Sequence, residues 1–117
     1  MNHRQLIELG LSYPGTGLRY PFFPDVPVLF VGSKLFALLL FRDGIESVNL
    51  KTLPEEAWLQ RETYPGAVLP GYHMNKRHWN TVVLNGQVPD DVVAEMLEVS
   101  YRLVQAKLPK AERALLG

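Results

Sequence analysis

The sequence contains no cysteine. That removes disulfide staples, thiolate metal sites and a cysteine nucleophile from consideration, and it suits a reducing compartment. Neither sign of charge is in surplus: twelve Lys and Arg balance twelve Asp and Glu. Overall charge therefore supplies no attraction for a polyanion, and any such binding must come from a local patch. A long apolar run is missing too. The longest, Leu35 to Phe41, falls far short of the roughly 20 residues that cross a bilayer, and the opening "MNHRQLIELG" has no apolar signal-peptide core. A cytoplasmic protein is the expectation. The chain also shows no repeat, no Gly-rich phosphate loop and no nucleophile elbow, so neither an enzyme nor a cofactor is expected.

What is there reads as one domain. With 117 residues, 47% of them apolar and 21% charged, the chain can bury about two thirds of the surface its unfolded form exposes. Leu6, Ile7 and Leu9 place an apolar face on a short helix over residues 2 to 10, with Gly10 as a left-handed stop. Pro14, Pro21, Pro24 and Pro27 then forbid a long helix, leaving an irregular edge with a short strand near Leu18 to Tyr20.

Two hairpin signals follow. Gly32-Ser33 suits a type II′ turn between Val28–Val31 and Lys34–Arg42, and Asp43-Gly44 suits a type I′ turn into Ile45–Lys51. Together they predict a three-stranded antiparallel meander whose central strand is covered on both faces. In the third strand Val48 and Leu50 share one face while Ser47, Asn49 and Lys51 share the other, which is expected to look toward solvent or a ligand.

"TLPE" fits a capping box, with Thr52 as N-cap, Pro54 early in the helix and Glu55 reaching back, for a short helix to about Glu62. A loop from Tyr64 to Gly71 precedes a strand over Trp79 to Leu84. Asp90 is the expected N-cap of the longest helix, 91 to 107, on which Val93, Met96, Leu97, Ser100, Leu103, Val104 and Leu108 recur at helical spacing. Pro109 stops it, and a small helix or tail spans Lys110 to Leu116. The order of elements predicts an α+β domain: helix, antiparallel meander of three to four strands, short helix, further strand, long helix.

Charge is separated along the chain. From Gly71 to Val88 there are Lys76, Arg77, His73 and His78 without an acid, whereas Asp90, Asp91, Glu95 and Glu98 follow with no base among them. Phosphate binding needs cations, and single strands add an aromatic face for stacking. Lys76 and Arg77 in a loop, Lys51 on an outward strand face, Lys34 and Arg42 beside the hairpin turns, and Trp79 meet those requirements. The plainer reading makes the same bases solvated surface charges and Trp79 a packing residue. His73 and His78 lack a ligand spacing or a nearby carboxylate that completes a metal set, so no metal site is expected.

The segments "SKLFALLL" at 33 to 40, "VNLKTLPEEA" at 48 to 57, "YHMNKRHWNTVVLNG" at 72 to 86, "VPDDVV" at 88 to 93 and "SYRLVQAKLPKAER" at 100 to 113 resemble the MmcQ/YjbR family of small bacterial proteins. The pattern His73, Asn75, Lys76, His78, Trp79 is the most specific part. The resemblance implies a CyaY-like α+β fold, an antiparallel sheet with helices packed on one face, and a DNA-binding role through a double-wing arrangement of hairpins. Iron binding of the frataxin kind would need an acidic ridge on the first helix, which offers only Glu8. The reading from the sequence is therefore DNA binding of low sequence specificity through Lys76, Arg77, Trp79, Lys51, Lys34 and Arg42, with His73 and His78 alongside. The alternative is a non-catalytic module that holds a small anion, or a protein partner, on the open sheet face near Lys51, Tyr72, His73 and Trp79. The very apolar central strand also admits a homodimer.

Overall fold

Two tight turns build the middle of the sheet. In the computed structural model, which describes residues 1–116, Gly32 adopts φ +55°, and Asp43 and Gly44 adopt +52° and +79°. These are the conformations that type II′ and type I′ hairpins demand, and their twist matches that of the strands they join. They connect β2 (Val28–Val31), β3 (Lys34–Arg42) and β4 (Ile45–Lys51) into the expected meander. Three further strands, β1 (Thr16–Arg19), β5 (Val68–Pro70) and β6 (Trp79–Val83), extend it to a six-stranded antiparallel sheet in the order β1-β2-β3-β4-β6-β5.

The sheet is thus wider than the three to four strands expected. β1 begins two residues before Leu18, and β5 lies within the segment predicted to be a loop. A three-residue strand offers too few positions for alternation to register. It is held by pairing Val68 with Val82, and its Pro70 is tolerated because β5 is an edge strand.

Helices α1 (His3–Leu11), α2 (Pro54–Thr63) and α3 (Asp90–Gln105) cover one face of the sheet, and α4 (Lys110–Leu115) closes the chain. α1 starts at a capping box: the Asn2 side chain accepts from the Gln5 N–H at 2.9 Å, and the Gln5 side chain accepts from the Asn2 N–H at 3.0 Å. Gly10 does not stop this helix, which runs on to Leu11. Its role is close approach, because a Cβ there would lie 2.6 Å from Leu29 Cδ1.

Two predicted caps are displaced by one residue. Leu53, not Thr52, is the N-cap of α2 and makes no side-chain capping bond, so the Thr52–Glu55 box does not form; Thr52 instead donates its N–H to the His78 carbonyl at 2.8 Å. Pro89, not Asp90, is the N-cap of α3, which leaves Asp90 and Asp91 in the first turn, where the helix dipole favours them.

The core lies between the sheet and the helices. Leu29, Val31, Phe36, Leu39, Val48, Leu50 and Val82 from the strands meet Leu6 of α1 and Val93, Leu97 and Val104 of α3. On α3 it is Tyr101 rather than Leu103 that is buried: its ring meets Phe36 edge-on at 5.4 Å, and its hydroxyl donates to the Pro14 carbonyl at 2.6 Å.

The other face of the sheet is not open, contrary to the reading of β4. Ser47 and Asn49 are 1% and 0% exposed, because the eight-residue connection from β5 to β6, residues 71–78, folds back over them. Asn49 donates from Nδ2 to the Tyr72 carbonyl at 2.8 Å, Thr81 donates to Asn49 Oδ1 at 2.6 Å, and the Tyr72 N–H donates to Thr81 Oγ1 at 3.0 Å. The polar side chains of β4 and β6 thus satisfy a loop rather than solvent. The proline-containing segment 20–27 covers the neighbouring part of the same face, and a cleft of about 500 Å³ between the two is lined by Phe22, Phe23, Leu38, Leu40, His73 and Met74.

Candidate anion-binding recess

The β3–β4 ladder ends before β3 does. Its last pair is Ala37 with Leu50, and the residues before Ala37 pair only with β2. One step further, Phe36 and Lys51 would be partners, but the strands have separated and the Ser100 hydroxyl of α3 stands between them. It accepts from the Lys51 N–H at 2.8 Å and donates to the Phe36 carbonyl at 2.6 Å. Ser100 is therefore more than the small packing residue that its apolar helix face suggests: it replaces a missing rung of the sheet.

This splay opens a recess of about 480 Å³ at the end of the sheet, lined by Lys34, Leu35, Lys51, Trp79, Val104 and Lys107. Lys51 and Trp79 are cross-strand partners, so their side chains leave the sheet on the same side. Three lysines line it and no carboxylate does. Among the described residues none of the three lysines has an ion-pair partner. Glu112 of α4 comes close to the β2–β3 turn, but it is engaged by the N–H and hydroxyl of Ser33, each at 2.8 Å. Burial holds the Lys51 ammonium below the ordinary lysine pKa, and the positive charges of Lys107 and Lys34 push it further the same way. An anion placed among them would relieve that repulsion.

The other candidate residues divide between two places. Lys76, Arg77 and His78 lie in the 71–78 connection immediately before Trp79. The Lys76 ammonium donates to the Gly71 carbonyl at 3.4 Å, and the exposed Arg77 has its N–H held by Asn75 Oδ1 at 3.0 Å. His78 ties this end of the loop to β4 through the carbonyl that accepts from Thr52. Arg42 stands at the far end of β3 from Lys34, about 27 Å away at the rise of an extended strand. It lines a smaller cleft with Phe41, Ser47 and Tyr72. His73, at φ +61°, holds its ring 3.8 Å from that of Tyr72 at a tilt of 45° and lines the apolar cleft. The cations therefore form no single track along the sheet. Tyr72 and His73 line other clefts than Lys51 and Trp79 do.

Two residues of this region escaped the sequence reading. Arg61, near the C-terminal end of α2, donates from Nε to Asn80 Oδ1 at 2.7 Å and from Nη2 to the carbonyls of Lys76 and Trp79. It pins the basic loop to the start of β6. No local signal separates it from an ordinary surface arginine of a helix. Lys107 did leave a trace. It lies seven residues after Ser100 and three after Val104, so a continued helical spacing puts it on their side of the chain, in the turn that follows α3.

A YjbR family model matches residues 11–103. The chain is 32% identical over 111 residues to YbdF of Escherichia coli O157:H7, covering 95% of this chain and 90% of that protein. It is 39% identical over 86 residues to YjbR of Escherichia coli K12, covering 74% and 72% respectively. Among solved structures, a Deinococcus radiodurans protein with a DUF419 domain superposes with a TM-score of 0.89 at 35% identity, over 99% of this chain and 88% of that one. A Pseudomonas syringae protein does so at 0.76 and 30% identity, over 88% and 98%. The matched span runs from the end of α1 through most of α3 and so takes in the whole sheet, the basic loop and the Ser100 bridge: the chain belongs to the YjbR family.

Proposed function

We propose that the protein binds nucleic acid with low sequence specificity. Lys34, Lys51 and Lys107 hold phosphate, Trp79 lies against base or sugar, and Lys76 and Arg77 reach the flanking backbone. The observation that carries this reading is the convergence of three lysines, none with an acid partner, on one half-buried tryptophan. Ammonium groups supply charge without base readout, so affinity rests on phosphate and stacking rather than on sequence. The role is one of binding, not catalysis.

The test is fluorescence anisotropy of labelled single- and double-stranded oligonucleotides at several salt concentrations. With about four cations on phosphate, affinity falls about a hundredfold between roughly 50 and 200 mM salt. Lys51→Ala combined with Lys107→Ala abolishes that binding. Trp58 is exposed on α2, so Trp58→Phe is the background in which Trp79 reports contact. Binding that ignores both salt and the lysine substitutions refutes the proposal.

The second reading, a binding module away from the recess, draws on the apolar cleft beside Phe22 and Phe23, which are 56% and 64% exposed. Its sign is saturable uptake of an apolar fluorescent probe that Leu40→Glu eliminates.

A further inference from the structure

We propose that the lysine recess takes the terminal phosphate of a nucleic-acid strand, a phosphate monoester, with the adjoining nucleotide against Trp79, in preference to the phosphodiesters within a strand. This assignment rests on the nucleic-acid reading above and narrows it.

Charge is the first argument. Three ammonium groups share one recess without a carboxylate in its walls. An internal phosphodiester brings a single negative charge, whereas a phosphate monoester carries close to two at neutral pH, together with three acceptor oxygens. The doubly charged group is the better match to a trio of lysines. The repulsion felt by Lys51 from Lys107 and Lys34 is relieved more fully by it.

Shape is the second. A strand bound along its length needs cations spaced as a track, but Arg42 is a whole strand length from Lys34 on β3, and no continuous ledge joins them. The recess instead sits where β3 and β4 part. Val104 of α3 and Lys107, in the turn just past that helix, line one side, and the Ser100 bridge ties α3 to the two parted strands. Its volume of about 480 Å³ falls within the usual span of small-ligand sites and suits one nucleotide rather than a duplex groove. Lys76 and Arg77, just ahead of Trp79 in the chain, are placed to meet the next phosphate.

Three single-stranded oligonucleotides of one sequence provide the test: one with a 5′-phosphate, one with a 3′-phosphate and one with hydroxyls at both ends, each labelled internally. At about 0.15 M salt at least one phosphorylated strand is expected to bind about tenfold more tightly than the hydroxyl-ended strand, the scale of added charge-assisted hydrogen bonds. Lys107→Ala, at an exposed position, is expected to bring the two affinities together while the thermal melt is unchanged. Lys34→Ala is the second variant and is expected to do the same. Tight binding that is equal for all three strands overturns the strand-end assignment and leaves the nucleic-acid reading standing. No binding of any strand overturns both. Adenosine monophosphate binding without oligonucleotide binding also overturns the assignment, and marks the recess as a site for free nucleotides.

Discussion

Ser100 shows how one hydroxyl supports both the fold and the candidate site. Its two hydrogen bonds occupy backbone groups of Lys51 and Phe36 that the parting strands can no longer give each other. Ser100→Ala leaves a buried N–H and a buried carbonyl without partners and is expected to cost about 1–3 kcal/mol, read from chemical denaturation. Lys51 carries the opposite trade. Its pKa is lowered in the folded protein, by burial first and by Lys107 and Lys34 second. Between that lowered value and the ordinary lysine value the native state holds fewer protons than the unfolded chain, so this group makes stability rise with pH across that window. Below it the full penalty of the buried charge is present. Lys51→Met is therefore expected to raise the melting temperature at neutral pH, with the gain shrinking as pH climbs toward the ordinary lysine value, and to weaken anion binding at the same time.

At the scale of elements, the connection 71–78 decides what the second sheet face becomes. It is held from below by Asn49 and Thr81 and from the side by Arg61. Arg61→Ala removes the charged donor shared by Asn80 and the carbonyls of Lys76 and Trp79, and it is expected to cost about 2 kcal/mol and to speed hydrogen exchange at residues 75–79. Arg61→Lys is expected to restore only part of the protection, because an ammonium cannot reproduce the planar fork. Gly71→Ala probes the same junction from the other end. The new Cβ would lie 2.8 Å from Trp79 Cβ and 2.9 Å from its carbonyl oxygen. Since backbone cannot yield as a flexible side chain does, the expected cost is about 1–3 kcal/mol, with a shift in Trp79 emission in the Trp58→Phe background.

The whole molecule carries no net charge, and among the described residues no helix is long and apolar enough to cross a membrane. A molecule neutral overall can still present a cationic recess at one end, because its charges are sorted in space. The lysines gather where β3, β4, β6 and α3 end together, while Glu95 and Glu98 lie further back along α3. At the opposite margin Phe22 and Phe23 stand in solvent beside the apolar cleft. Replacing both with serine is expected to change stability by no more than about 0.5 kcal/mol each. It should also lower uptake of an apolar dye by the cleft.

The parts that follow from a few consecutive residues were legible in the sequence. The Gly32-Ser33 and Asp43-Gly44 turns, the meander they create, the buried stripe of α3 and the antiparallel α+β architecture all rest on φ preference, alternation and helical period. These act within one turn or one strand. The residue types of the basic loop were legible too, as was the placing of Lys51 and Trp79 on one face of the sheet. What only the tertiary structure decided depends on where distant segments stop and what they meet. β5 exists because β6 offers it an edge, and the polar side of β4 is buried because a loop needs its hydrogen bonds. Lys107 joins Lys34 and Lys51 because the turn that follows α3 lies beside the place where two strands separate. No local pattern records such meetings, since their free energy belongs to pairs of segments that become neighbours only after the chain has folded.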